Sequence, residues 1–131
     1  MSKSMLTDLL PDNVKLFPAA ANDFLGLDKG KQIKVIKALQ KISKSPTKFG
    51  KALENQPNRP LSGFRSIYVD KKSLRIIWKV TDSNLAEVII VAAIAERDGL
   101  LAYKLVSSRK EAVEAFMSAN SPLLRRERVR S

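Results

Sequence analysis

The clearest strand pattern in the sequence covers residues 74 to 80 and reads Leu74-Arg75-Ile76-Ile77-Trp78-Lys79-Val80. Bulky apolar residues alternate here with Arg75, Ile77 and Lys79, and a period of two residues is typical of a half-buried β-strand. The alternation places the Arg75 side chain on the face opposite to Trp78. We therefore predict a strand that buries one face and presents Arg75 on the other.

Further strands are predicted on both sides of this one. Glu87–Ala95 is apolar on both faces, as is typical of a central strand, and Asp82–Asn84 makes the turn before it. On the other side, a short strand covers Ser66–Val69 and ends in a tight turn at Asp70–Ser73. Two close hairpins of this kind indicate an antiparallel sheet. The polar stretch Phe49–Pro60, which is interrupted by prolines, is predicted to be a loop.

Helical patterns precede this loop. A short strand over Val14–Phe17 leads into a helix over Ala19–Leu25, with Pro18 at a favourable first-turn position. A longer helix is predicted over Asp28–Lys44, where Asp28 is the N-cap. One half of its surface is apolar and comprises Ile33, Val35, Ile36, Leu39 and Ile42. The other half carries the lysines Lys31, Lys34, Lys37, Lys41 and Lys44.

One more helix is predicted at Arg109–Ala119, because Ser108 and Glu111 have the three-residue spacing of a capping box. A basic run, Arg125–Arg130, follows it. The order is thus a strand, two helices, three antiparallel strands and a terminal helix. This order predicts an α+β domain with helices packed on one face of a sheet. The chain then divides into a lead-in at 1–12, a main domain at 13–104, and a C-terminal helix and basic tail at 105–131.

The composition restricts the chemistry. The chain has 131 residues, enough for one domain, and contains neither cysteine nor histidine. The lack of cysteine excludes disulfides, thiolate zinc sites and a cysteine nucleophile, and it is typical of a reducing, cytoplasmic compartment. Without histidine, the usual general base near neutral pH is missing. We expect no cofactor and no metal, and no membrane span, since no apolar run approaches about 20 residues.

Positive charge is the second feature of the composition. Lysine and arginine number 24 against 13 acidic residues, so the net charge is +11, which favours nucleic acid or an acidic protein as partner. Between Lys29 and Lys51 there are eight lysines and no acid. Like charges on one helix face destabilise it by a few tenths of a kcal/mol per pair unless a partner neutralises them. We therefore predict that the lysine face contacts ribosomal RNA backbone.

Several local patterns together resemble one family. They are Pro60-Leu61-Ser62-Gly63 before a strand, the Leu74–Trp78 strand with its second-position arginine, the Val88–Val91 strand leading to Glu96-Arg97, Tyr103 six residues beyond Arg97, and the Asp28–Ile42 helix followed by Ser45-Pro46. In order and spacing these patterns resemble the RelE/ParE toxins of type II toxin–antitoxin systems, from about Val14 to Tyr103. The resemblance implies a small antiparallel sheet packed against two N-terminal helices, to which this chain adds a C-terminal helix.

The resemblance also implies a function. A RelE-like toxin is a ribosome-dependent mRNA endonuclease, or mRNA interferase, that inhibits translation by using 2′-hydroxyl attack to cleave mRNA. The implied partners are a cognate antitoxin protein, the ribosome and mRNA, and the implied location is the cytoplasm. Two alternatives stay open. One is a ParE-like inhibitor of DNA gyrase, and the other is a catalytically weak relative that only binds its antitoxin.

The same resemblance implies the site residues. Arg75 stands at the family's active-site arginine position, Arg97 would add a second cation for the phosphate, and Tyr103 would position the RNA. RelE-like nucleases carry lysines for proton transfer on the strand before Arg75, where this chain has Arg65 and Tyr68 instead; these two complete the catalytic candidates. The candidates for RNA or ribosome binding are Lys31, Lys34, Lys37, Lys41, Lys44, Lys71 and Lys72.

Overall fold

The described part of the chain folds into a five-stranded sheet with helices on both faces. The computed structural model describes residues 6, 8–53, 63–71, 73–80, 88–96 and 99–119, and at 96 and 99–103 it describes the backbone alone. In chain order the elements are β1 (Val14–Leu16), α1 (Pro18–Leu25), α2 (Lys29–Lys44), β2 (Lys51–Ala52), β3 (Phe64–Val69), β4 (Leu74–Val80), β5 (Ile89–Glu96) and α3 (Gly99–Ala119). The strand order is β1-β5-β4-β3-β2, and the predicted α+β class is confirmed.

The sheet is mixed. Strands β3, β4 and β5 form the predicted antiparallel meander, but β1 pairs in parallel with β5, with Val14 opposite Ile89. Local hairpin patterns did not predict this pairing, because β1 and β5 lie far apart in sequence. The strand β2, only two exposed residues long, falls within the stretch predicted as a loop. The sequence of β2 has no strand pattern of its own, and its extended conformation depends on hydrogen bonding to β3.

Both faces of the sheet are buried, which corrects the prediction of a half-buried β4 and of helices on one face. On the first face, α1 and α2 cover a cluster that includes Leu74, Ile76, Trp78, Ile89 and Val91. On the second face, Val106 and Val113 of α3 cover a cluster that includes Phe64, Ile77, Ile90, Ala93 and Ala95. Every residue from Leu74 to Trp78 is therefore buried, including Arg75.

A β-bulge explains how β5 serves both clusters. Ile77 pairs with Ala93 and Trp78 pairs with Val91, so Ala92 has no partner on β4. One extra residue reverses the alternation of a strand. Val91 before the bulge and Ile94 after it consequently lie on the same face, although they are three positions apart in the sequence.

The helix α2 has the predicted N-cap and a slightly different buried stripe. The Asp28 Oδ1 accepts the Lys31 backbone N–H at 2.9 Å, as an N-cap should. The buried residues are Gln32, Val35, Ile36, Leu39 and Ile42. Ile33, predicted in the apolar half, is 42% exposed, and Gln32 is buried instead. The Gln32 Nε2 donates to the Phe24 carbonyl at 3.2 Å, which satisfies a backbone group near the end of α1.

The C-terminal helix is longer than predicted. α3 begins at Gly99 rather than at Arg109, and Ser108 lies inside it, where its Oγ donates to the Leu105 carbonyl at 2.8 Å. The capping box inferred from Ser108 and Glu111 is therefore wrong. Near its end, the Phe116 ring meets Phe17 edge to face with centroids 5.8 Å apart. None of the described helices combines the length and apolarity needed to cross a membrane.

An ion pair covers the outer edge of β5 where β1 ends. The Arg109 Nη1 donates to Asp23 Oδ2 at 2.8 Å and to the Ala92 carbonyl at 3.0 Å. The same Asp23 oxygen accepts the Ile94 backbone N–H at 3.2 Å. Both side chains are largely buried, at 18% and 16% exposure for Asp23 and Arg109. They complete the hydrogen bonds of a strand edge that β1 is too short to reach.

We expect Arg109→Ala to lower the free energy of unfolding by about 1.5 kcal/mol, because it leaves the Asp23 carboxylate without its cation and the Ala92 carbonyl without a donor. Urea unfolding measures the change. Lys104→Ala, an exposed cation on the same helix, is the matched control and should change stability by less than about 0.5 kcal/mol. An equal effect of the two substitutions would show that the ion pair does not secure this edge.

Candidate functional site

A hollow lies between α2 and β3. It encloses about 470 Å³, and its lining residues are Lys34, Lys37, Ala38, Lys41, Ile42, Phe49, Ile67, Tyr68, Val69 and Asp70. The apolar members form the floor, while lysines from α2 stand on one side and Tyr68 and Asp70 on the other. The structure thus brings three of the predicted RNA-binding lysines and one catalytic candidate to the border of a single depression.

The lysines follow from the phase of α2. Because Val35, Ile36 and Leu39 are buried against the sheet, the residues at 34, 37, 41 and 44 are turned to solvent. With a rise of about 1.5 Å per residue, Lys34 and Lys41 are about 10 Å apart along the helix axis. No described carboxylate forms an ion pair with Lys37, Lys41 or Lys44. These lysines therefore present a row of positive charge along one side of the hollow.

Lys34 differs from the other lysines because it has an acidic partner. Its Nζ donates to the Asp70 Oδ1, and Ser73 Oγ donates to the other Asp70 oxygen at 2.7 Å. These two hydrogen bonds, reinforced by the charges of Lys34 and Lys31, lower the pKa of the Asp70 carboxyl below its ordinary value of 3.8. The acid-free stretch of α2 is thus partly neutralised by a residue 36 positions away.

We expect the Asp70 carboxyl of the free protein to titrate below 3.8, and Lys34→Gln to move its pKa upward, because Lys34 supplies the largest lowering effect. A lowered folded-state pKa means that the interaction stabilises the fold above the unfolded value and is lost as pH falls through the folded value. NMR titration of the side-chain carboxyl carbon measures both. An unchanged pKa in Lys34→Gln would contradict the contact.

Arg75 and Tyr68 form one unit across β4 and β3, where they occupy paired positions. The Arg75 Nη2 donates to the Tyr68 hydroxyl, and the guanidinium carbon lies 4.3 Å from the centre of the Tyr68 ring. Arg75 is 8% exposed, whereas Tyr68 is 45% exposed. The arginine therefore lies beneath the tyrosine rather than on the open sheet face that alternation alone suggested. It holds the exposed ring in place from behind.

Arg65 is not part of this unit. Its Nε donates to the Phe49 carbonyl at 3.0 Å, and its Nη2 donates to the Gly50 carbonyl at 3.2 Å. Strand alternation places it on the other face from Tyr68. The guanidinium instead fixes the turn after α2, whose Phe49 side chain forms part of the floor of the hollow. Among the catalytic candidates, the structure brings Tyr68 and Arg75 together and separates Arg65 from them.

The remaining candidates are only partly described. Arg97 and Lys72 lie outside the described residues. Tyr103 lies within α3, and only its backbone is described. Lys71 is exposed in the hairpin turn after β3 and has a left-handed backbone with φ of 54°. Within the described residues, no group of histidine, cysteine or acidic side chains is placed to hold a metal ion.

Sequence reasoning missed Asp70 as a member of the site. The residue was recognised only as the start of a tight turn, and a turn position gives no indication of a contact with α2. Phe49 and Ile67 were missed for a similar reason, because they become the floor of the hollow only when the turn after α2 packs against β3. These residues come from different elements and have no fixed spacing along the chain, so no sequence motif identifies them.

Comparisons with known proteins agree on the fold. No family model and no curated protein sequence matches the chain. Among solved structures, a free Escherichia coli RelE variant with two arginines changed to alanine is 16% identical, with a TM-score of 0.58, covering 73% of this chain and 94% of that one. The toxin–antitoxin complex RelBE2 from Mycobacterium tuberculosis is 18% identical, with a TM-score of 0.53, covering 67% and 100%.

The isolated E. coli RelE toxin is also similar, at 19% identity and a TM-score of 0.51, with 79% of this chain and 96% of that chain covered. The similarity therefore spans nearly the whole of each neighbour. At these identities the similarity concerns the backbone arrangement. Together these neighbours show that the chain has a RelE-like toxin fold.

Proposed function

We propose that the chain is the toxin of a type II toxin–antitoxin pair and that it acts in the cytoplasm as a ribosome-dependent mRNA endonuclease. The observation that carries this proposal is the hollow lined by α2 lysines and Tyr68, together with the packing of Arg75 against the Tyr68 ring. The lysines supply a surface for the RNA backbone, and Tyr68 supplies an exposed aromatic face for a base. The fold supports the same proposal, since its structural neighbours are RelE toxins.

The proposed reaction is an in-line attack by a 2′-hydroxyl on the adjacent phosphorus. The oxygen–phosphorus bond forms as the bond to the 5′-oxygen breaks, one group accepts the 2′-hydroxyl proton, and another protonates the leaving oxygen. Arg75 places a permanent positive charge directly beneath Tyr68, where a phosphate next to a stacked base would be stabilised. Arg97 and Tyr103 remain proposed contributors of a second cation and of RNA positioning. β3 presents Arg65 and Tyr68 where lysines for proton transfer were expected, and of these two only the Tyr68 hydroxyl can exchange a proton, because arginine stays protonated. Part of the positioning of the mRNA is assigned to the ribosome.

An antitoxin is the proposed protein partner. Two of the neighbouring structures are complexes of a RelE-type toxin with antitoxin protein or peptide. The net charge of +11 favours an acidic partner segment for this chain as well. A partner that covers the lysine row would compete with RNA for the same charges, which is a direct route to inhibition.

Induced expression should arrest growth, and mRNA from arrested cells should show new 5′ ends inside codons. The variant Arg75→Lys, Arg97→Lys keeps both charges but loses the planar donor pairs, so cleavage should fall at least about tenfold. Lys51→Gln, an exposed residue on β2, is the control and should cleave like the wild type. Immunoblots confirm equal protein levels. Identical cut sites and frequencies in the double variant would refute the assignment of the two arginines.

A second function is favoured by the lack of lysine on β3, namely inhibition of DNA gyrase by a ParE-like toxin. In that case purified protein should block supercoiling at stoichiometric levels, and mRNA 5′ ends should not change. Growth arrest without either effect on RNA or supercoiling would reject both mechanisms. Absence of growth arrest in cells that contain the soluble protein would instead support a weak relative that only binds its antitoxin.

A further inference from the structure

Asp70 is the one acidic residue among the described side chains that line the hollow. Its carboxylate lies against Lys34, which is a member of the lysine row proposed to bind RNA. The neighbouring members Lys37 and Lys41 form no ion pair with a described carboxylate. A negative charge supplied by the protein thus already occupies one position of an otherwise open cationic row.

The turn that carries Asp70 is built to present this carboxylate. Asp70 and Lys71 both have left-handed backbones, with φ of 55° and 54°. Residues other than glycine adopt this conformation infrequently, and asparagine and aspartate tolerate it best. The Ser73 hydroxyl and backbone N–H both bond to Asp70, at 2.7 Å to the carboxylate and 3.0 Å to the carbonyl. The turn therefore fixes the carboxylate at the rim of the hollow.

The ion pair itself is accessible. The Lys34 side chain is 53% exposed, so water and mobile anions reach it. Exposed pairs of this kind are weak, because solvent screens both charges. A phosphate of a bound RNA can therefore replace the carboxylate on Lys34. The exchange is helped when the same strand already contacts Lys37 and Lys41, since no further association entropy is lost.

We propose that Asp70 is an internal competitor for the phosphate position at Lys34, so that RNA must displace its carboxylate before the full lysine row is engaged. The inference rests on the proposed RNA-binding function and adds a residue that sets affinity and selectivity. A small anion must displace Asp70 from Lys34 with a single contact. An RNA strand that is already bound at Lys37 and Lys41 has these additional contacts to hold its phosphate next to Lys34. Asp70 in this way favours polymeric RNA over small anions.

The test compares oligouridine binding by fluorescence anisotropy for wild type, Asp70→Asn, Lys34→Gln and the double variant, each as the full chain. Asparagine suits a left-handed turn and keeps an acceptor for Ser73, so Asp70→Asn should fold normally; thermal unfolding verifies this. Glu111→Gln, an exposed acid on α3, is the control for net charge. Asp70→Asn should bind about two- to fivefold more tightly than wild type, and Glu111→Gln should bind like wild type.

The salt dependence and the double variant distinguish competition of Asp70 with phosphate at Lys34 from a general increase in attraction for RNA when one negative charge is removed. A newly available phosphate contact should steepen the log–log salt slope of Asp70→Asn by about 0.7. In the Lys34→Gln background the gain from Asp70→Asn should largely vanish, because the contested position is gone. An equal gain in both backgrounds, or no gain in either, overturns the competitor role while leaving RNA binding intact. Failure of the wild type to bind RNA would overturn the RNA-binding role of the lysine row, and the competitor role with it.

Discussion

Gly50→Ala is expected to lower the free energy of unfolding by about 3 kcal/mol, because the added Cβ meets a positive φ and two close neighbours. Gly50 has φ of +70°, a region that alanine avoids at a cost of about 1 kcal/mol. A Cβ here would lie 2.7 Å from the Trp78 Cη2 and closer still to the Ser66 carbonyl oxygen. Neither neighbour is free to move, so overpacking adds about 2 kcal/mol.

The neighbours of Gly50 are fixed by the core. Trp78 is fully buried and donates from its Nε1 to the Pro46 carbonyl at 3.2 Å. Ser66 lies in β3 and pairs with both β2 and β4. The substitution therefore pushes the turn after α2 away from the sheet. Since Phe49 of this turn forms part of the floor of the hollow, the site should be distorted along with the fold.

Urea and thermal unfolding measure the effect, with a decrease in Tm of about 10 °C expected for a chain of this size. Gly26→Ala is the matched control, because Gly26 has φ of −79° and an added Cβ would meet only ordinary contacts at 3.6 Å. That control should change stability by at most about 0.5 kcal/mol. Similar Tm values for the two variants would show that the turn accommodates a side chain and does not constrain the site.

Helices and strands whose apolar residues recur with a regular spacing were predictable from sequence, because the spacing shows which face is buried. The α2 helix, its Asp28 cap and the strand character of β4 and β5 each follow from a repeat within a short window. The start of α3 was not predictable in the same way. Ser108 and Glu111 imitate a helix start, yet in a continuous helix a serine hydroxyl can bond to a carbonyl of the preceding turn, as Ser108 does with Leu105.

The features that matter most for the site depend on contacts between distant residues. The burial of Arg75 requires coverage of the second sheet face, to which α3 contributes, and no pattern inside β4 reports this. The pairing of Lys34 with Asp70 joins a helix to a hairpin turn 36 residues later. Charge counting along α2 therefore identified the row of lysines correctly as exposed at 34, 37, 41 and 44, but it could not show that one of them is already neutralised.

RNA binding should fall about 100-fold at roughly 0.1 M salt when Lys37, Lys41 and Lys44 are all changed to glutamine. Each phosphate contact to a single strand contributes about 0.7 to the slope of log affinity against log salt, which at this salt concentration corresponds to about fivefold in affinity. Three lost contacts then multiply to about 100-fold. All three lysines are exposed and form no ion pair with a described carboxylate, so the fold should not suffer.

Anisotropy of labelled oligouridine between about 50 and 300 mM salt measures both quantities, and the salt slope of the triple variant should be shallower by about 2. The control changes Lys15, Lys51 and Lys104 to glutamine, which removes the same charge from β1, β2 and α3. If net charge alone attracted RNA, the two triple variants would lose affinity equally. A loss confined to the α2 variant instead requires that phosphates lie along this one row, because screening limits the reach of a charge to about 10 Å at 0.1 M salt. The row, and not the overall charge of +11, would then determine where RNA lies on the protein.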